Sequence, residues 1–190
     1  MNALYRIGAG TLFAMLLTLG LAGCGESEEV KQSLDPVAFH DSDECHVCGM
    51  ILADFPGPKG QVVEKNGVRK FCSTAEMLGW WLQPENRLLD VKLYVHDMGR
   101  NVWEHPDDSH LIDATSAYYV VGTSLKVAMG APLATFANEQ TAQRFAEEHG
   151  GRVLRFDDID QTLLQKAASI QHGGMPGQMP SAEHDAQAGH

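Results

Sequence analysis

The chain has 190 residues, a length that suits one domain or two small ones. Its 44% hydrophobic and 21% charged residues are those of a folded globular protein. A net charge of -11 argues against nucleic acid as a partner, because phosphate binding needs a basic surface. Outside the N-terminus, no stretch is long and apolar enough to span a bilayer.

The N-terminus reads as a targeting segment, with Arg6 ahead of the apolar run Thr11 to Leu21 and small residues after it. Leu21-Ala22-Gly23-Cys24 resembles a bacterial lipobox, which makes 1–23 a leader and Cys24 the acylated N-terminus. Gly25, where an Asp would signal retention in the inner membrane, points to a periplasm-facing anchor in the outer membrane. Residues 24–40, polar and acidic, are expected to form a flexible tether. Next comes Cys45-His46-Val47-Cys48-Gly49-Met50, expected in a loop between Asp41 and Phe55, followed by the rigid turn Pro56 to Gly60.

Gln61–Glu64 and Val68–Phe71 are predicted strands joined through Lys65-Asn66-Gly67, a strong hairpin signal. Ser73 to Glu76 matches a capping box and opens a helix through Trp80 and Trp81 that Pro84 ends. Strands are predicted over Leu88–His96, Tyr118–Gly122 and Arg152–Phe156. Asn138 should cap a helix that turns Ala142, Phe145 and Ala146 inward and stops at Gly150-Gly151, and a last helix is predicted from Asp158 to Ile170. The order strand, Phe71, Ser73, Trp80 recurs at equal offsets as strand, Phe136, Asn138, Phe145. The expected fold is therefore α+β, with two related small subdomains of short antiparallel strands and helices over 41–86 and 87–171. From His172 to His190 the composition shifts to Gly, Pro, Gln, His and Met, which predicts a disordered tail with metal-capable side chains.

With Cys24 lipidated, an odd set of three cysteines remains: Cys45, Cys48 and Cys72. A zinc site would need all three plus His46. A redox dithiol would need a helix starting at the CxxC, which Gly49 and the following prolines disfavour. A plain disulfide is the blander alternative. A soft monovalent metal needs only two or three thiolate or thioether ligands. That points to Cu(I) on Cys48 with Met50, which faces the same side if the segment is extended, or Met129 beside Gly130; Met98 is a weaker candidate.

Cys48-Gly49-Met50, Gly57-Pro58-Lys59-Gly60-Gln61, Tyr94-Val95-His96-Asp97-Met98-Gly99-Arg100 and Met129-Gly130-Ala131-Pro132 together resemble the NosL family of nitrous oxide reductase accessory lipoproteins. The resemblance covers about Glu44 to Asp158. It implies a non-enzymatic Cu(I) chaperone that is anchored to a membrane by lipid. Copper would pass to an ABC transporter complex (NosDFY), and through it to nitrous oxide reductase. It further implies a fold similar to the alkylmercury lyase MerB, and copper ligands at Cys48 and Met129 with Met50 adjacent. Cys45 departs from a single-cysteine pattern and is either a second thiolate or an oxidation partner of Cys48. A thiol–disulfide oxidoreductase, a lipid-anchored structural or interaction protein and, last, a MerB-like enzyme are the alternatives.

Overall fold

A computed structural model describes residues 33–172 of the protein. The expected leader, the lipidation site at Cys24 and the tail beyond His172 lie outside the described residues. Within them, the Asn-Gly signal produces its hairpin. Strand β1 (Gly60–Glu64) pairs antiparallel with β2 (Gly67–Phe71), with Glu64 opposite Gly67 across the two-residue turn Lys65-Asn66. Ser73 then caps helix α1 (Thr74–Trp81), its hydroxyl accepting from the Glu76 N–H at 3.1 Å.

Strand β3 (Lys92–His96) pairs antiparallel with β1. It is shorter than the predicted Leu88–His96 for a physical reason. Lys92 lies opposite Val63, next to the end of β1, so residues before it have no strand to bond to. Asn86–Leu88 instead forms a single 3-10 turn. A three-residue strand, β4 (Leu111–Asp113), completes a sheet of order β2-β1-β3-β4. The second sheet contains β5 (Tyr118–Val121), β6 (Leu133–Phe136) and β7 (Arg152–Arg155), with β5 at its centre.

Between β6 and β7 runs α2 (Glu139–His149), capped by Asn138, which accepts from the Thr141 N–H at 3.2 Å. Gly150 and Gly151 stop it with φ of 79° and 103°. A Cβ on Gly151 would lie 2.5 Å from the Val121 carbonyl oxygen, so glycine is required twice over. The last helix, α3 (Gln161–His172), begins three residues later than predicted. Phe156–Asp158 is a 3-10 turn, and the Asp160 carboxylate accepts from the Leu163 N–H at 2.7 Å.

The recurring strand, cap and helix order is present in both sheets, and the mixed α and antiparallel β architecture is as expected. Two expectations are corrected. The first sheet does not end near residue 86: β3 and β4 belong to it because β3 pairs with β1, so it extends to Asp113. Nor are residues 33–40 a free tether. Gln61 exchanges two hydrogen bonds with the Val37 backbone at 2.9 and 2.7 Å, Tyr94 donates to the Leu34 carbonyl at 2.8 Å, and the Phe39 N–H donates to Asp108 at 2.6 Å. Polar side chains of β1, β3 and the turn before β4 hold a segment whose own sequence has no apolar period.

One hydrophobic cluster joins Val62, Phe71, Val95, Met77 and Cys72 from the first sheet side to Tyr119, Leu133 and Leu154 of the second. A smaller cluster sets Val120, Ala134 and Phe136 against Ala142, with Phe145 and Ala146 at its edge. Met98 is buried there, which makes it a packing residue. The sheets are also bonded directly, through Met98 N–H to the Thr135 carbonyl at 2.7 Å and Thr135 hydroxyl to the His96 carbonyl at 2.6 Å.

Candidate metal centre

The segment Asp43–Leu52 doubles back on itself. Leu52 N–H donates to the Asp43 carbonyl at 2.9 Å and Cys45 N–H to the Met50 carbonyl at 2.8 Å, around an isolated bridge between Glu44 and Ile51. Inside this frame Gly49 N–H donates to the Cys45 carbonyl at 2.9 Å, and Gly49 takes φ of 71°, a conformation that disfavours any side chain. The segment Cys48-Gly49-Met50 is therefore turned, and the extended geometry that would set Cys48 and Met50 side by side is not formed. Met50 is half-buried against the main core.

His46 N–H donates to the Lys70 carbonyl at 2.8 Å and stitches the loop to the end of β2. The Asp43 carboxylate strengthens the same seam, accepting from the His40 N–H at 2.7 Å and pairing with the Lys70 ammonium. This brings the loop against Cys72, which follows β2 directly. The Sγ atoms of Cys45, Cys48 and Cys72 all lie within 4.8 Å of one another, and those of Cys48 and Cys72 are 3.7 Å apart. All three are free thiols. Among the described residues they form the one cluster of three or more His, Cys, Asp or Glu donors close enough to share a metal ion. Cys45 is 4% and Cys72 0% exposed, so only the partly exposed Cys48 opens to solvent.

The electrostatics of the three sulfurs differ. Burial opposes ionisation of Cys45, but the backbone N–H groups of Cys48, Cys72 and Val47 outweigh it and lower its pKa. Burial raises the pKa of Cys48, against a favourable N–H from Met50. Val47 and Met50 each lie two residues beyond the cysteine they serve, so the loop repeats one N–H to sulfur arrangement. Cys72 is pushed far up, first by burial and then by the two neighbouring sulfurs. Of the two buried sulfurs, Cys45 therefore ionises the more readily and Cys72 the less. A bound soft cation supplies the charge that ionises the rest.

Met129 is 44% exposed, and its carbonyl accepts from the Ser73 hydroxyl at 3.0 Å, one residue from Cys72. Gly130, at φ of 74°, lets that loop approach α1: a Cβ there would lie 3.3 Å from the Ala75 Cβ. The His46 ring sits edge-on to Phe71 and Trp80 at 5.8 and 5.9 Å and is not grouped with the three sulfurs, so the four-ligand zinc set is not assembled. No α-helix starts at the CxxC, only the 3-10 turn Leu52–Asp54, so the helix dipole a redox dithiol uses is missing. Two larger cavities lie elsewhere, of about 560 Å³ beside Thr123 and Leu163 and about 430 Å³ beside His96 and Asp108, and no cysteine lines either.

Cys72 is the cluster member that spacing did not bring in. Its signal was the odd cysteine count together with its position just after a strand.

A model of the NosL family matches residues 36–164. The chain belongs to the NosL family. It is 78% identical over 190 residues, the whole of both chains, to the copper-binding lipoprotein NosL of Stutzerimonas stutzeri. It is 33% identical over 158 residues, 80% of each chain, to the copper-binding lipoprotein NosL of Achromobacter cycloclastes. The crystal structure of the copper chaperone NosL from Shewanella denitrificans superposes with a TM-score of 0.65 at 41% identity, covering 68% of this chain and 98% of that one. The NosL fold thus carries the cysteine loop at residues 45–50 and the strand end at Cys72.

Proposed function

We propose that this chain is a non-enzymatic copper chaperone that carries Cu(I) at a sulfur-rich site centred on Cys48. Cys45 and Cys72 complete a three-sulfur shell, and the thioethers of Met129 and Met50 are the further ligands that the family resemblance implies. The observation that carries the reading is the cluster of three free thiols, two buried and one open to solvent. Thiolates at this separation match the soft, low-coordinate preference of monovalent copper. The names of the curated relatives, copper-binding lipoproteins, support the same cargo and support lipid attachment at Cys24. In this reading the chain is held in the outer membrane facing the periplasm. It hands copper to a NosDFY-type ABC transporter complex, and so towards the maturation of nitrous oxide reductase.

The test is anaerobic titration of the reduced protein with Cu(I), followed by X-ray absorption. One Cu(I) per chain with two or three sulfur neighbours is expected. Unchanged copper binding in Cys48→Ser and Met129→Ala would falsify the ligand assignment. Transfer is tested by loading the protein with Cu(I) and following copper onto the transporter complex, which a Cys48→Ser chain should fail to supply.

A further inference from the structure

The loop between β5 and β6 carries Met129 and lies outside the strand ladder, which runs only as far as Val121 opposite Leu133. Side chains from elsewhere in the fold hold this loop at two points. Trp103 Nε1 donates to the Lys126 carbonyl at 2.8 Å, and the Ser73 hydroxyl donates to the Met129 carbonyl at 3.0 Å. At the second point the loop lies directly on the start of α1, so close that a Cβ on Gly130 would come within 3.3 Å of the Ala75 Cβ.

Capping a helix does not by itself call for the second of these bonds. The cap of α1 needs an acceptor, which the Ser73 oxygen provides to the Glu76 N–H at 3.1 Å. An aspartate would cap α1 as well and donate nothing. A hydroxyl has one proton to give, and here it goes to Met129, 56 residues further along the chain. Ser73 is 1% exposed, so water does not compete for that bond.

Chain order makes the bond consequential. Ser73 follows Cys72, whose sulfur is 3.7 Å from that of Cys48. One residue is thus joined through its main chain to a cysteine of the cluster and through its side chain to the main chain of Met129. The Met129 side chain is flexible and 44% exposed, so the anchoring of its backbone sets the region its sulfur reaches.

We propose that Ser73 is a positioning residue for copper: its hydroxyl fastens the Met129 loop beside Cys72 and so presents the thioether to the three-sulfur cluster. This rests on the reading of the cluster as a copper site with Met129 as a ligand. Ser73 touches no metal in this scheme and acts through Met129 alone.

The test is a double-mutant cycle on the full chain, reduced and anaerobic in detergent micelles, with Cu(I) affinity measured by chelator competition. Ser73→Gly keeps a serviceable cap and removes the donor, whereas Ser73→Thr keeps both. Ser73→Gly should weaken Cu(I) binding roughly tenfold, as loss of an outer-shell partner does, and Ser73→Thr should bind like the parent. In a Met129→Ala background Ser73→Gly should cause no further loss. The Met129 methyl resonance should move on Cu(I) loading in the parent and move less in Ser73→Gly. An equal loss in both backgrounds, as a purely structural serine would give, overturns the positioning role and leaves the copper site standing. Parent-like affinity in Met129→Ala overturns it too, with the cysteines still holding copper. A parent chain that binds no Cu(I) overturns both readings. Should Ser73→Gly fail to fold, Ser73→Asp takes its place in the cycle, with the same outcomes deciding.

Discussion

The sulfurs of Cys48 and Cys72 lie 3.7 Å apart although 24 residues separate them in the chain. The contact exists because the His46 N–H is bonded to the Lys70 carbonyl, two residues before Cys72, so the loop and the strand end are one unit. Cys72 is fully buried, and shortening it to Ala removes little volume, costing about 1 kcal/mol. Cys72→Ala is therefore expected to fold normally by circular dichroism while Cu(I) affinity falls by roughly a hundredfold, the upper end of what loss of even an outer-shell partner causes. Parent-like affinity in this variant would remove Cys72 from the copper shell.

Gly49 is expected to resist substitution for reasons of backbone torsion alone. Its φ is 71°, yet a Cβ built on it meets nothing within 4 Å. Gly49→Ala should cost about 1 kcal/mol in urea unfolding, Gly49→Asn less, because Asn tolerates the left-handed region, and Gly49→Val more. The order is the informative result. If all three cost the same, crowding and not torsion governs the turn. Copper affinity should follow the same order, because the turn aims the Val47, Cys48 and Met50 N–H groups at sulfur.

Asp97 accepts from the Gly99 N–H at 3.0 Å and the Ala137 N–H at 3.1 Å, so one buried carboxylate spans the ends of β3 and β6. Asp97→Ala strands both N–H groups and should lower stability by about 2–4 kcal/mol, seen as a reduced urea midpoint at constant slope. Asp97→Asn keeps an acceptor oxygen and should lose distinctly less.

Acid should loosen the cysteine loop before the rest of the fold. Burial raises the Asp43 pKa, but the hydrogen bond from Lys70 and the His40 N–H outweigh it, so the folded value lies below the ordinary 3.8. A depressed carboxylate contributes stability that is complete above its unfolded pKa and is lost as pH falls through the folded one. Parent and Asp43→Asn should therefore differ most in thermal midpoint above about pH 4 and converge as pH drops below it. A gap that stays constant down to pH 2 would exclude this carboxylate as the source.

Much of the fold was legible because local chemistry coincided with global structure. Ser73 and Asn138 cap helices whose starts their side chains mark, and Asn66-Gly67 sits at the hairpin it signals. What was not legible depends on pairing. Leu111–Asp113 is a strand only because β3 lies beside it, and Leu88 to Val91 fail to be one only because β1 has ended. The same limit applies to the site. Cys45 and Cys48 are adjacent by spacing, whereas Cys72 joins them through register, which one-dimensional spacing does not encode. Cys48 and Met50 would share one side only in an extended strand, and Gly49 turns the chain there.

On the proposed reading, the burial gradient across the three sulfurs determines how copper travels. An incoming sulfur ligand meets Cys48 first, while Cys45 and Cys72 hold the ion from behind. Escape into water requires every bond to break with nothing in its place. Hand-over to a partner replaces the bonds one at a time, so the ion is never bare. Such a vessel leaks slowly and empties quickly on contact, the kinetic behaviour that separates a courier from a store.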